Sequence, residues 1–145
     1  MGTTIEAGTL GGRFGYLRFG DGPRTLVILP GLYLDGEAPG GLAARAYAYG
    51  RALTAAHTVY VVRRPRGLPA ETSIADLAAQ YGQLLRSEFG RADVVGLSTR
   101  GLIAQELALG DPDAVDRLAL VVSGARIAKR HAGRLQAELA TFLAR

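Results

Sequence analysis

Four short apolar runs constrain this chain more than any other feature: LVIL at 26–29, VYVV at 59–62, DVVGL at 93–97 and LALVV at 118–122. Their apolar residues follow one another instead of alternating with polar ones. A strand built this way has to be covered on both faces, which places it inside a parallel sheet flanked by helices. The intervening segments GGLAARAYAYGRALTAA (40–56), IADLAAQYGQLLRSEF (74–89) and LIAQELALG (102–110) are rich in helix formers. In 74–89, Ile74, Leu77, Tyr81, Leu84 and Leu85 recur at helical spacing. Strand–helix alternation of this kind predicts an α/β domain with a mostly parallel sheet and helices on both faces.

Local punctuation sharpens the boundaries. Thr72 or Ser73 can cap the helix over 74–89, and Gly90 can end it. Pro65 stops the strand over 57–65. GRFGYLRFG (12–20) has the aromatic spacing of a strand, and GDGP (20–23) is a turn signal. The segments on either side of GDGP are therefore expected to form a hairpin feeding the central strand. Tyr47 and Tyr49 point to different helix faces, and packing is their expected role. The chain of 145 residues fits a single domain over 1–145, with 125–145 opening a helical, lid-like region.

Composition narrows the chemistry. There is no cysteine, which excludes disulfides, thiolate metal sites and a cysteine nucleophile. No apolar run approaches the roughly 20 residues that span a bilayer, and the N-terminal MGTTIEAGTLGG lacks the pattern of a signal peptide. A cytoplasmic protein without a membrane partner is expected. The net charge of +4 is carried almost entirely by arginine, in clusters at 63–66 and 126–134. No aromatic residues interleave these clusters, so they read as solvated faces and not as a nucleic-acid surface. Gly31, Gly36, Gly40 and Gly41 lack dinucleotide-motif spacing, and no Walker lysine follows any strand. No organic cofactor and no metal is expected.

Ligands of open α/β sheets bind at the carboxyl ends of the strands. Three loops converge there: the one starting at Pro30-Gly31-Leu32, the one over 64–69, and Gly96 to Gly101 around Ser98. In VVGLSTRGLIAQELA (94–108) a buried strand passes straight into a helix through Ser98. Such a turn lifts the serine hydroxyl out of the sheet. The following helix N-terminus supplies N–H groups for a developing oxyanion. The plain alternative is a serine that caps a helix.

In that order of elements the chain resembles the α/β-hydrolase superfamily. The resemblance is carried by GRFGYLRFGDGP, LVILPGL, VYVVRRPRGLP, VVGLSTRGLIAQELAL and RLALVVSGAR, and covers about the first half of a typical member. It implies a serine hydrolase acting on carboxylic esters or related acyl substrates, with Ser98 as nucleophile. It further implies that the N–H groups of Leu32 and Thr99 form an oxyanion hole, with Gly31, Gly96 and Gly101 giving the loop and the elbow their room.

Three departures accompany the resemblance. The family signature Gly-x-Ser-x-Gly has Arg100 at its second glycine, with Gly101 one place late. An arginine there is expected to clash or to find an exit to solvent. The acid and the histidine of the triad are not identifiable. His57 starts a strand on the wrong edge, and His131, the remaining candidate base, sits among Lys129, Arg130 and Arg134. The last two strands of the fold are expected to be missing, leaving 117–124 as a bare apolar edge. The alternative function is therefore a truncated or impaired pseudo-hydrolase. It would bind a small apolar ligand, or pair with a second copy or a complementary fragment through that edge.

Overall fold

A computed structural model describes residues 4–31, 41, 46–48, 50–125, 128–130, 133–134 and 137. Six strands form one mixed sheet: β1 (Glu6–Leu10), β2 (Phe14–Phe19), β3 (Arg24–Leu29), β4 (His57–Val62), β5 (Ala92–Leu97) and β6 (Val115–Val121). Their spatial order is β1-β2-β4-β3-β5-β6. Strands β4, β3, β5 and β6 run parallel, and β1 and β2 add an antiparallel pair at one side. Two α-helices are bounded within the described residues, α1 (Ile74–Phe89) and α2 (Arg100–Gly110).

The apolar runs of β3, β4 and β5 are largely buried on both faces, whereas the run at 118–122, expected to be covered likewise, is exposed. Val27 and Leu29 of β3 pack with Leu77, Tyr81 and Leu85 of α1 and with Ile103 and Leu107 of α2. The alternate residues, Leu26 and Ile28, meet Leu17, Phe19, Val59, Val61 and Ala46 on the opposite face. Residues 46–48 are helical, so helical chain covers that face too. Tyr47 packs edge-on against Phe19, with ring centroids 5.8 Å apart. Tyr49 lies outside the described residues. No helix among the described residues is long and apolar enough to cross a membrane.

Helix α1 has the expected ends. The Ser73 hydroxyl accepts from the Asp76 N–H at 3.1 Å, and the Asp76 carboxylate accepts from the Ser73 N–H at 2.9 Å, a reciprocal capping box. Gly90, at φ 71°, closes the other end.

The hairpin expected around GDGP does not form. The chain does reverse there, but β4 inserts between β2 and β3 and pairs with both. Gly22 permits the crossing. A Cβ on it would lie 2.1 Å from the backbone nitrogen of His57, at the start of β4. Turn chemistry fixes a reversal; which strand fills the gap depends on the non-local burial of β4. The true hairpin is β1–β2, turning at Gly11 (φ 51°) and Gly12 (φ 69°). The last strand also sits earlier than 117–124, ending at Val121.

Strand β6 is the sheet edge among the described residues, and it is exposed beyond Val115, with Leu120 43% accessible.

The amino ends of the parallel strands are tied by charge. Arg24 of β3 donates to both carboxylate oxygens of Asp93 on β5 (3.0 and 2.9 Å) and to Asp116 on β6 (2.7 Å). His57 Nε2 lies 3.1 Å from the same Asp93 carboxylate. His57 thus belongs to this cluster at the start of β4. Burial disfavours the charged Asp93, but Arg24, His57 and Arg117 outweigh it and hold the carboxyl below its usual range. A depressed carboxylate stabilises the fold above the unfolded-chain value of about 3.9 and loses that contribution as pH falls through the lower folded value. Urea midpoints are therefore expected to fall as pH is lowered from about 4 towards 2. In Asp93→Asn the fall should be shallower and the midpoint near neutral pH lower by the equivalent of about 2 kcal/mol. An unchanged acid limb would show that this cluster does not govern acid stability.

Candidate active site

Ser98 stands between β5, which ends at Leu97, and α2, which starts at Arg100. Its φ is 54°, in the left-handed region that a non-glycine residue adopts only when its surroundings impose it. The residue is solvent-exposed, although Gly96 before it and Arg100 after it are buried. Its N–H donates to the Val121 carbonyl at the end of β6 (2.9 Å), and its carbonyl accepts from the Gly101 N–H (3.0 Å). Val122, directly after that acceptor, is also left-handed at φ 51° and is 89% exposed. It is β-branched, so the end of β6 stores strain beside the elbow.

The elbow is made possible by a close approach of α2 to β5. A Cβ on Gly96 would lie 2.7 Å from Gly101 Cα and 2.7 Å from Ala104 Cβ. A Cβ on Gly101 would lie 1.9 Å from Ser123 Oγ. The second obligate glycine is thus the one three residues after the serine, not the one two after it.

Arg100 neither clashes nor reaches solvent, which corrects the sequence-based expectation. It is 2% exposed, and its Nη1 donates to the Tyr81 hydroxyl of α1 at 2.9 Å. That hydroxyl donates in turn to the Arg63 carbonyl at the end of β4 (3.1 Å). The side chain runs inward between the two helices because Gly101, not residue 100, faces the crowded Ser123 side. Sequence reasoning missed Tyr81 as a polar partner. Its helical spacing marked it as core, and its hydroxyl was the one available sign of a second role.

Gly31 flanks the elbow: a Cβ there would be 3.4 Å from Ser98 Cβ. The Pro30-Gly31 loop and Ser98 are therefore brought together. Thr99 is the residue before α2, and its N–H meets no backbone acceptor among the described residues. Its Oγ1 is buried without a hydrogen-bond partner among them, as is Ser123 Oγ. Gln105 secures the neighbouring segment by donating to the carbonyls of Gly101 (3.1 Å) and Gly124 (2.9 Å). The proposed oxyanion donor Leu32 and the candidate base His131 lie outside the described residues. His57 belongs to the amino-end cluster, on the opposite edge of the sheet from Ser98.

The packing predicts which substitutions are tolerated. Gly101→Ala must displace Ser123 and should destabilise by about 1–3 kcal/mol. Arg100→Gly, which would complete the usual elbow motif, should also destabilise, by roughly 2 kcal/mol, because it empties a buried volume and leaves Tyr81 short of a donor. Denaturant unfolding of both variants checks this. A stabilised Arg100→Gly would mean that the buried arginine is a burden on the elbow.

No protein-family model matches the chain, and no curated protein does. Solved structures do. A hydrolase from Pseudomonas aeruginosa PA01 is similar at a TM-score of 0.66 and 22% identity, over 96% of this chain and 52% of that one. A marine microorganism esterase is similar at 0.62 and 20%, over 77% and 41%. The epoxide hydrolase CorEH is similar at 0.63 and 20%, over 94% and 50%. The chain thus spans about half the length of these structures. The likeness, together with the strand order and the elbow, shows that this chain has the α/β-hydrolase fold.

Proposed function

We propose that this chain carries the nucleophile half of a serine hydrolase acting on carboxylic esters or related acyl substrates, with Ser98 as nucleophile. The observation that carries the reading is the left-handed, exposed Ser98 between a buried strand and a helix N-terminus. A serine that merely caps a helix has extended backbone angles, as Ser73 does at φ −79°, ψ 167°. The strained form at Ser98 has no capping use, and it presents the hydroxyl outward. The similar esterase and hydrolases support the choice of chemistry.

In this reading Ser98 Oγ attacks the acyl carbonyl carbon, and the hydroxyl proton passes to a general base. The oxyanion is met by the Thr99 N–H, with Leu32 as the second donor that the fold implies. The leaving alcohol takes the proton back, and water then releases the acid from the acyl-serine. His131 is the only histidine after Ser98 in the chain. A fluorophosphonate probe is expected to label the protein at Ser98, with labelling abolished in Ser98→Ala. A folded chain that stays unlabelled would overturn the catalytic reading.

The exposed β6 favours a second reading, in which the domain acts by pairing with a second copy along that edge. Light scattering should then show mass rising with concentration, and Leu120→Lys should suppress the rise. A monomer at every concentration eliminates this reading.

A further inference from the structure

The carboxyl edge of the sheet holds a second feature, beside the elbow. A cavity of about 630 Å3 opens at the end of β4, lined among others by Gly15, Arg63, Arg64, Arg66, Thr72 and Leu77. Among its described lining residues three are arginines and none is acidic. Among the described residues, no ion pair joins Arg64 or Arg66 to a carboxylate.

The amino edge provides an internal comparison. A cavity of about 400 Å3 there also has two arginines in its wall, Arg24 and Arg91. Both are matched within the same wall. Arg24 is paired with Asp93 and Asp116, and Arg91 lies 3.6 Å from Asp116. That cavity is neutralised from within. At the β4 cavity no described carboxylate pairs with Arg64 or Arg66, and like charges converging on one cleft raise its potential for anions.

The loop that carries these arginines is held in shape. Arg66 and Arg13 exchange two hydrogen bonds, N–H to carbonyl at 3.2 Å and Arg13 Nη2 to carbonyl at 3.3 Å. The Arg63 N–H donates to Gly15 (2.8 Å), and Thr72 donates twice to the Pro69 carbonyl. A fixed backbone reduces the ordering needed when a ligand arrives. Guanidinium forks match the oxygens of phosphate in geometry as well as charge.

We propose that this cavity is a binding site for a doubly charged oxyanion of the phosphate class, held by Arg64 and Arg66 with Arg63 at its inner wall. The site stands independently of any chemistry at Ser98. It is nevertheless on the same edge. Strands β4 and β5 both flank β3, so the strand that leads into the cavity and the strand that leads into Ser98 are two strand spacings, about 10 Å, apart. The Arg63 carbonyl is also joined through Tyr81 to Arg100 of the elbow helix.

Calorimetric titration of the full chain with inorganic phosphate tests the proposal. Saturable one-to-one binding is expected, at least ten-fold weaker in the double variant Arg64→Gln, Arg66→Gln. Both side chains are exposed, and circular dichroism verifies the fold. The control double variant Arg51→Gln, Lys129→Gln removes the same charge elsewhere and should bind as the parent does. Equal weakening in the control, acetate binding as tightly as phosphate at equal ionic strength, or no saturable binding would each overturn the proposal. So would retention on phosphatidylglycerol vesicles without saturable phosphate binding, which would make the arginines a lipid-facing surface. Ser98→Ala should leave phosphate binding intact, so a failed nucleophile and a failed anion site give different results.

Discussion

The contact on which the elbow depends is the approach of α2 to β5 across Gly96 and Gly101. With Gly101 Cα only 2.7 Å from where a Cβ of Gly96 would sit, Gly96 cannot carry a side chain without moving the helix off the sheet, and a Cβ on Gly101 would run into Ser123. That approach leaves two residues, Ser98 and Thr99, between the last strand residue and the first helical one. So short a connection forces one residue into the left-handed region, at a cost of about 1–2 kcal/mol. The surroundings offset this through two backbone hydrogen bonds, Ser98 to Val121 and Gly101 to Ser98. The exposed hydroxyl follows from how closely strand and helix pack.

Moving the crowded position to Gly101 frees Arg100 for a different task. Tyr81 packs its ring against Phe14 at 5.2 Å, accepts from Arg100 and donates to the Arg63 carbonyl. One aromatic residue of α1 thus links the start of α2 to the end of β4. Two of the three loops that converge at the carboxyl edge are joined through the interior. The third, at Pro30-Gly31, lies against Ser98, so that a Cβ on Gly31 would be 3.4 Å from Ser98 Cβ.

What could be read from the sequence was what depends on local pattern. Helix α1 is bounded by a residue that caps it and a glycine that ends it, and both signals are contiguous with the pattern they close. Strand β5 was readable because its apolar run is unbroken. Strand β1 was not: four of its five residues are exposed, so it has no apolar pattern to read. The order of β2, β4 and β3 was hidden for a different reason. GDGP specifies a reversal, whereas the insertion of β4 depends on a contact between residues 22 and 57 that no local window contains. Ser98 was recognisable from its strand–turn–helix setting. The burial of Arg100 was not, because a side chain's exit path depends on which neighbour is crowded, and Ser123 lies 22 residues after Gly101.

The two edges of the sheet then divide the work between them. At the amino edge, Arg24, His57, Asp93 and Asp116 satisfy one another across four parallel strands, so charge there serves cohesion. At the carboxyl edge, within the described residues, Ser98 and Val122 are strained, the Thr99 and Ser123 hydroxyls are buried without a hydrogen-bond partner, and Arg64 and Arg66 have no paired carboxylate. A parallel sheet makes this division possible, because all four strands point their carboxyl ends to one side and their loops can be shaped there without disturbing the ladder. For that reason, weakening Asp93 should reduce stability without altering the local geometry that exposes Ser98.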